Sequence, residues 1–134
     1  MKTQVVVDAK TMKIICLYFG KGAKHDFSLY KNSKLVINQE IKQKTDLGYL
    51  GIKKIHSNSE LPHKRSKKHK LDKEQKRQNR RLAKERVGNE HVMGKLKISK
   101  ILFGPYRNRR KRFGLRFSLI AGIYNAELDL KAAA

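Results

Sequence analysis

Glu90 is the only carboxylate in the stretch RVGNEHVMGKLK, which runs from Arg86 to Lys97. Arg86 precedes it by four residues and Lys97 follows it by seven, offsets that share one face of a helix. Ala83, Met93 and Ile101 flank that face, so the acid looks onto a partly apolar surface. Two chemistries fit. One is a helix salt bridge from Arg86 to Glu90, worth about 0.3–0.5 kcal/mol. The other is a metal-ligand carboxylate with cations beside it to hold phosphates. Phosphoryl chemistry on DNA needs that arrangement, because two hard divalent ions clamp the attacking and leaving oxygens and carboxylates hold the ions. Asp46 is the natural second acid. It ends a candidate strand and opens the glycine turn DLGYLG, and an acid at a strand's C-terminal end reaches the crevice where open α/β sheets bind ligands. A plain turn-forming Asp before Gly also fits it.

Other candidate groups point to simpler roles. His25-Asp26 fits a metal or acid–base pair, but an N-cap Asp beside a surface His is the reading taken. His56, His63, His69 and His91 lack ligand spacing, and His63 and His69 sit in a basic run as solvated side chains. Cys16 is the only cysteine, which excludes an internal disulfide and a cysteine-based zinc site. It is expected to be a small buried apolar residue.

The cations dominate the composition. The chain has 134 residues with 33 Lys and Arg against 11 Asp and Glu, a net charge of +22. Such a charge favours a polyanion partner, since Lys and Arg release counterions on meeting phosphates. Two basic runs carry the expected phosphate contacts. The first contains Lys64, Arg65, Lys67 and Lys68; the second contains Arg107, Arg109, Arg110, Lys111 and Arg112. Tyr106 and Phe113 bracket the second run, where they either stack on unpaired bases or anchor the last helix, the second being favoured. No apolar run approaches the ~20 residues that span a bilayer, and no apolar leader follows Lys2.

The elements that must position these groups form an α/β pattern. Residues 3–8 (TQVVVD) and 13–19 (KIICLYF) read as an antiparallel hairpin with a four-residue connection. Both are almost continuously apolar, so both faces are expected to be covered. A helix capped by Asp26 follows, then a strand over 41–45 and a short helix over 52–56. Residues 57–81 are a basic loop or insert whose first half is loop or edge strand. Asp72 caps a long helix over 72–103, weakened by Gly88 and Gly94 and ended by Gly104-Pro105. Residues 106–131 are a basic lead and an apolar C-terminal helix.

Taken in order, VVVD, GKGAKHD, DLGYLG, RVGNEHVMGKLK and YRNRRKRFGLRFSLIAGIYN resemble the C-terminal half of the DDE superfamily endonuclease domain of bacterial insertion-sequence transposases. The resemblance covers about residues 2–128. Its more specific parts are Asp-x-Gly-Tyr-x-Gly and the spacing of Arg86, Glu90 and Lys97. Where the family often has Tyr, this chain has Ala83.

The resemblance implies a ribonuclease H-like fold, a mixed sheet with flanking helices. Asp46 and Glu90 stand at the second and third catalytic carboxylates and would bind Mg²⁺ in a two-metal site, with Arg86 and Lys97 on DNA phosphates. It implies DNA cleavage and strand transfer in the bacterial cytoplasm at the nucleoid, with element ends and target DNA as partners. The family's first Asp, usually in Asp-Gly-Thr, has no counterpart here, and Asp8 does not replace it. The expectation is therefore a partial fold lacking the first central strand, marginally stable and poorly catalytic alone. An upstream-encoded N-terminal part or a homo-oligomer would be its protein partners. Two rival readings are a non-catalytic DNA-binding fragment and a small basic RNA-binding protein of ribosomal type.

Overall fold

The structure, a computed structural model, describes residues 2–97 and 112–134, with Lys97 described by its backbone alone. It is mixed α/β and divides into two compact units. One gathers Thr3–Gly20 and Gly88–Ala134; the other gathers Lys2 and Lys21–Val87.

The first unit is a hairpin on a helix. Strands β1 (Lys2–Val7) and β2 (Ile14–Gly20) pair in a two-stranded sheet. The connection is too short for a parallel crossover, so they run antiparallel. Asp8 builds the turn: its Oδ1 accepts the Lys10 and Thr11 backbone N–H groups at 2.8 and 3.2 Å. Those two backbone hydrogen bonds lower the Asp8 pKa. Met12 completes the reversal in the left-handed region, at φ 61°.

The C-terminal helix, here α3 (Phe113–Ala133), lies against this hairpin. Phe113, Phe117, Ala121 and Tyr124 recur at three- or four-residue spacing and are buried with Ile14. Val5, Val7, Leu17 and Phe19 pack against them from the strands. The Phe19 ring meets Phe113 and Phe117 edge-on, at 5.6 and 5.3 Å between centroids. Asn125 acts as a substitute strand: its Oδ1 accepts the Ile14 N–H and its Nδ2 donates to the Ile14 carbonyl, both at 2.9 Å. The Tyr124 hydroxyl donates to the Met12 carbonyl at 3.1 Å.

Two expectations fail here. The hairpin is not covered on both faces, because Ile15 is 65% exposed. An antiparallel sheet needs only one apolar face against a helix. Cys16 follows Ile15 on the same strand and is half-buried, not buried.

The second unit starts with α1 (Asp26–Asn32), which buries Leu29 and Tyr30. His25, not Asp26, is the N-cap, and it makes no side-chain cap bond. Asp26 instead lies in the first turn and pairs with Lys2 Nζ at 2.7 Å. The expected strand over 41–45 is β3 (Gln43–Lys44), which runs parallel to β4 (Ser59–Glu60). Between them lie two 3-10 turns, Leu47–Tyr49 and Ile52–Lys54. His56 is buried beneath: Nε2 donates to the Asn38 carbonyl at 3.1 Å, so Nδ1 accepts from Ser59 Oγ at 2.9 Å.

Helix α2 (Lys73–Lys97) begins with a reciprocal capping box. Asp72 Oδ1 accepts the Gln75 N–H at 2.7 Å, and Gln75 Oε1 accepts the Asp72 N–H at 3.2 Å. Asp72 thus caps the helix as its sequence suggests. Its residues through Val87 belong to the second unit and those from Gly88 to the first. Gly88 makes room for Met12, since a Cβ there would lie 2.6 Å from Met12 Cε. No helix among the described residues is long and apolar enough to cross a membrane.

Candidate functional site

The turn DLGYLG builds its site from the backbone outward. Asp46, extended at φ −94° and ψ −177°, caps the 3-10 turn Leu47–Tyr49. Its Oδ1 accepts the Gly48 N–H at 2.9 Å. A side chain at Gly48 would displace the Asp26 carboxylate: an added Cβ would lie 2.6 Å from Asp26 Oδ2 and 3.0 Å from Asp46 Oδ1. Two carboxylates therefore converge over one glycine. Gly51 sits at φ +97°, with the Phe27 ring 3.2 Å from where a Cβ would stand. Both glycines have a structural reason, the second a backbone conformation that L side chains rarely adopt.

Arg86 reaches this turn from α2. Its Nη2 lies 3.5 Å from Asp46 Oδ2, across 40 positions of sequence. The helix salt bridge from Arg86 to Glu90 is thus not how Arg86 is used; its carboxylate partner is Asp46. Tyr49 lies among the same charges. Burial pushes its phenol up to about 12, helped by Asp26 and Asp46 and opposed by Arg86. Its ring stands edge-on to Tyr30, 6.2 Å between centroids. Asp26 and Tyr49 are the members that the spacing of charged residues misses. The available signal is GKGAKHD itself, which sets Asp26 at a helix start where its carboxylate is free to turn outward.

The other predicted site residues are distributed as follows. Glu90 is exposed on α2, one turn beyond Arg86, and has no ion pair among the described residues. Lys64, Arg65, Lys67 and Lys68 are all exposed and have none either. Their loop is tied to α2 by His63, whose N–H donates to Asn79 Oδ1 at 2.7 Å and whose carbonyl accepts from Asn79 Nδ2 at 3.0 Å. His63 Nε2 also meets Gln78 Oε1 at 2.6 Å, so this ring is anchored, not simply solvated. Arg112 is exposed at the start of α3. The Lys97 side chain and Arg107, Arg109, Arg110 and Lys111 lie outside the described residues.

Nearby cations are already neutralised. Lys42 pairs with Glu60 at 2.8 Å, Lys44 with Glu85 at 2.8 Å, and Arg81 bridges Glu60 and Glu85. The Lys42 ammonium, hydrogen-bonded to Glu60, and the Lys44 ammonium, hydrogen-bonded to Glu85, lower both carboxyl pKa values.

No group of three or more His, Cys, Asp or Glu side chains among the described residues is placed to hold a metal ion. Asp46 has a backbone N–H on one oxygen and a guanidinium beside the other. These residues alone do not fit a closed two-metal centre.

Residues 1–125 match the family described as DDE superfamily endonuclease, and the chain belongs to that family. It is 54% identical over 132 residues to a protein of Microchaete diplosiphon named as the probable transposase for insertion sequence element IS702. That match takes in 98% of this chain and 48% of the relative, so the chain spans about half the relative's length. No solved structure matches it.

Proposed function

We propose that this chain is the C-terminal part of a transposase catalytic domain of ribonuclease H-like fold. It supplies part of the site that cuts and joins DNA. The observation that carries the reading is the meeting of Asp46 and Arg86, two motif residues 40 positions apart. A turn that held Asp46 only for its own hydrogen bond would not need a guanidinium brought to its second oxygen.

In this reading Asp46 and Glu90 are two of three metal-binding carboxylates, and Mg²⁺, when bound, would activate water and stabilise charge on the phosphate. Arg86 orients Asp46 and Lys97 holds a DNA phosphate. The exposed loop with Lys64, Arg65, Lys67 and Lys68 and the run from Arg107 to Arg112 provide further phosphate contacts. The remaining carboxylate, the family's first, has no counterpart of Asp-Gly-Thr type in these 134 residues, and this reading draws it from outside them. The working setting is the bacterial nucleoid, with element ends and target DNA as partners.

The test is a supercoiled-plasmid nicking assay with Mg²⁺ or Mn²⁺ on the chain as it stands. No nicking is expected. Nicking that Glu90→Gln abolishes would show that the site is complete within this chain. Salt-dependent DNA binding without nicking is the outcome that the reading requires.

A further inference from the structure

Beside the first turns of α2, within the second unit, lies a cavity of about 230 Å³. Leu61 and Leu82 give it apolar walls, and Leu82 is only 2% exposed. Lys53, Glu60, His63, Gln78 and Asn79 supply the polar part. The volume falls short of the roughly 300 Å³ at which drug-sized sites begin. It suits a single small ring against aliphatic side chains.

The polar groups differ in what they still offer. Glu60, the one acid on the wall, is held by Lys42 at 2.8 Å and by Arg81. The cavity therefore presents no free anion. His63 Nε2 meets the Gln78 amide oxygen at 2.6 Å. That oxygen can only accept, so Nε2 carries the hydrogen and Nδ1 of the neutral ring is an acceptor. Asn79 Nδ2 uses one hydrogen on the His63 carbonyl, at 3.0 Å, and keeps the other. Gln78 Nε2 has only a long contact with Glu74, at 3.4 Å. Lys53 is exposed. What remains on offer is several N–H donors and one ring-nitrogen acceptor.

That set complements a flat ring whose two carbonyl oxygens flank an N–H. The pairing edge of thymine has this form, with O4 and O2 on either side of N3–H. Cytosine puts an amino group and a bare N3 in the corresponding places. The chain from His63 runs straight into Lys64, Arg65, Lys67 and Lys68, all exposed. A base in the cavity would carry its phosphate toward those cations. A base read in this way leaves its stack, at least cost from a single strand or a mismatch.

We propose that this cavity takes one thymine-type base from a DNA strand whose phosphates lie on the loop at residues 64–68. The proposal rests on the DNA reading above for its partner and adds a base-reading site to it.

Fluorescence anisotropy on the full chain with three short single strands is the test: oligothymidine, oligocytidine and a strand of abasic sites. The thymine strand should bind about tenfold more tightly than either of the others. The three salt slopes should agree, since a base contact releases no counterion. His63→Ala keeps the backbone bonds to Asn79 and removes the acceptor, and Leu61→Phe narrows the cavity. Each variant should bring thymine to the cytosine level with its slope unchanged. Equal affinity for the three strands in the parent overturns the proposal and leaves phosphate binding standing. A thymine preference that survives either variant also overturns it, because the base is then read elsewhere. Thymidine monophosphate that binds as tightly as the strand overturns the DNA source in favour of a free nucleotide. Binding to none of the strands refutes the DNA reading itself, and the proposal falls with it.

Discussion

Replacing Lys64, Arg65, Lys67 and Lys68 with Gln tests where phosphate meets this protein. These four side chains are exposed and carry no ion pair among the described residues. Each is therefore free to displace a counterion from DNA. The slope of log K against log salt is about −0.9 for each phosphate neutralised on duplex. Removing four phosphate-bound cations should flatten it by about 3 to 4. Over a fourfold rise in salt, the parent would lose about 100-fold more affinity than the variant. Fluorescence anisotropy with a random duplex at several salt concentrations reads both numbers. The control is Lys44→Gln, because Lys44 is already paired with Glu85 at 2.8 Å. Its removal should move the slope by less than the share of one phosphate. A four-site variant whose slope also moves by less than that would refute the assignment and shift the binding to another basic surface. Folding is not at issue, since the loop is held by His63 and Asn79, which the variant keeps.

Two further outcomes follow from packing and titration. Tyr49 is raised from 10.0 to about 12, chiefly by burial. Its neutral form is favoured in the fold, so stability is intact below pH 10 and is lost as pH climbs from 10 through 12. Tyr49→Phe should flatten that alkaline loss, by up to about 2 kcal/mol in denaturant melts across this window, and an unchanged alkaline limb would refute the burial. Phe117→Ala removes a fully buried ring that touches Phe19 and Phe113. It should cost about 3–5 kcal/mol, a large part of a small domain's stability; a thermal melt that drops by only a degree or two would place the core elsewhere.

The elements with strong local signals are legible from sequence. The hairpin shows in two β-branched runs around a polar turn, and Asp72 with Gln75 marks the start of α2. Asp26 reads as a cap because an Asp before a helix usually is one. Here Lys2 draws its carboxylate away and Gly48 makes room for it, and neither fact is local to residues 25–32. Arg86 reads as the partner of Glu90 because four-residue spacing is the only helix contact that sequence offers. Its actual partner is 40 residues away. Apolar strands suggest covering on both hairpin faces, but composition cannot say whether a second layer exists to cover Ile15. These differences share one cause: side-chain partners contributed by elements distant in sequence.

The placement of the few acids gives that long-range information a physical logic. With 33 cations and 11 acids, each carboxylate that pairs with a cation removes it from the pool that a polyanion could use. Glu60 and Glu85 occupy Lys42, Lys44 and Arg81, which fastens β3 and β4 to the first part of α2. Asp26 occupies Lys2, and Asp129 occupies Lys13 on the hairpin at 2.5 Å. In each case the paired cation serves the protein's own packing. The loop at residues 64–70 contains no acid at all, and there the cations stay exposed. Asp46 departs from this pattern. It meets Arg86 at 3.5 Å, the distance also found between Arg81 and Glu85, with both side chains partly exposed, and its other oxygen holds the Gly48 backbone N–H. Such a pair is weak, worth under about 1 kcal/mol. A weak exposed pair adds little to folding, but it leaves both groups within reach of a phosphate and a cation.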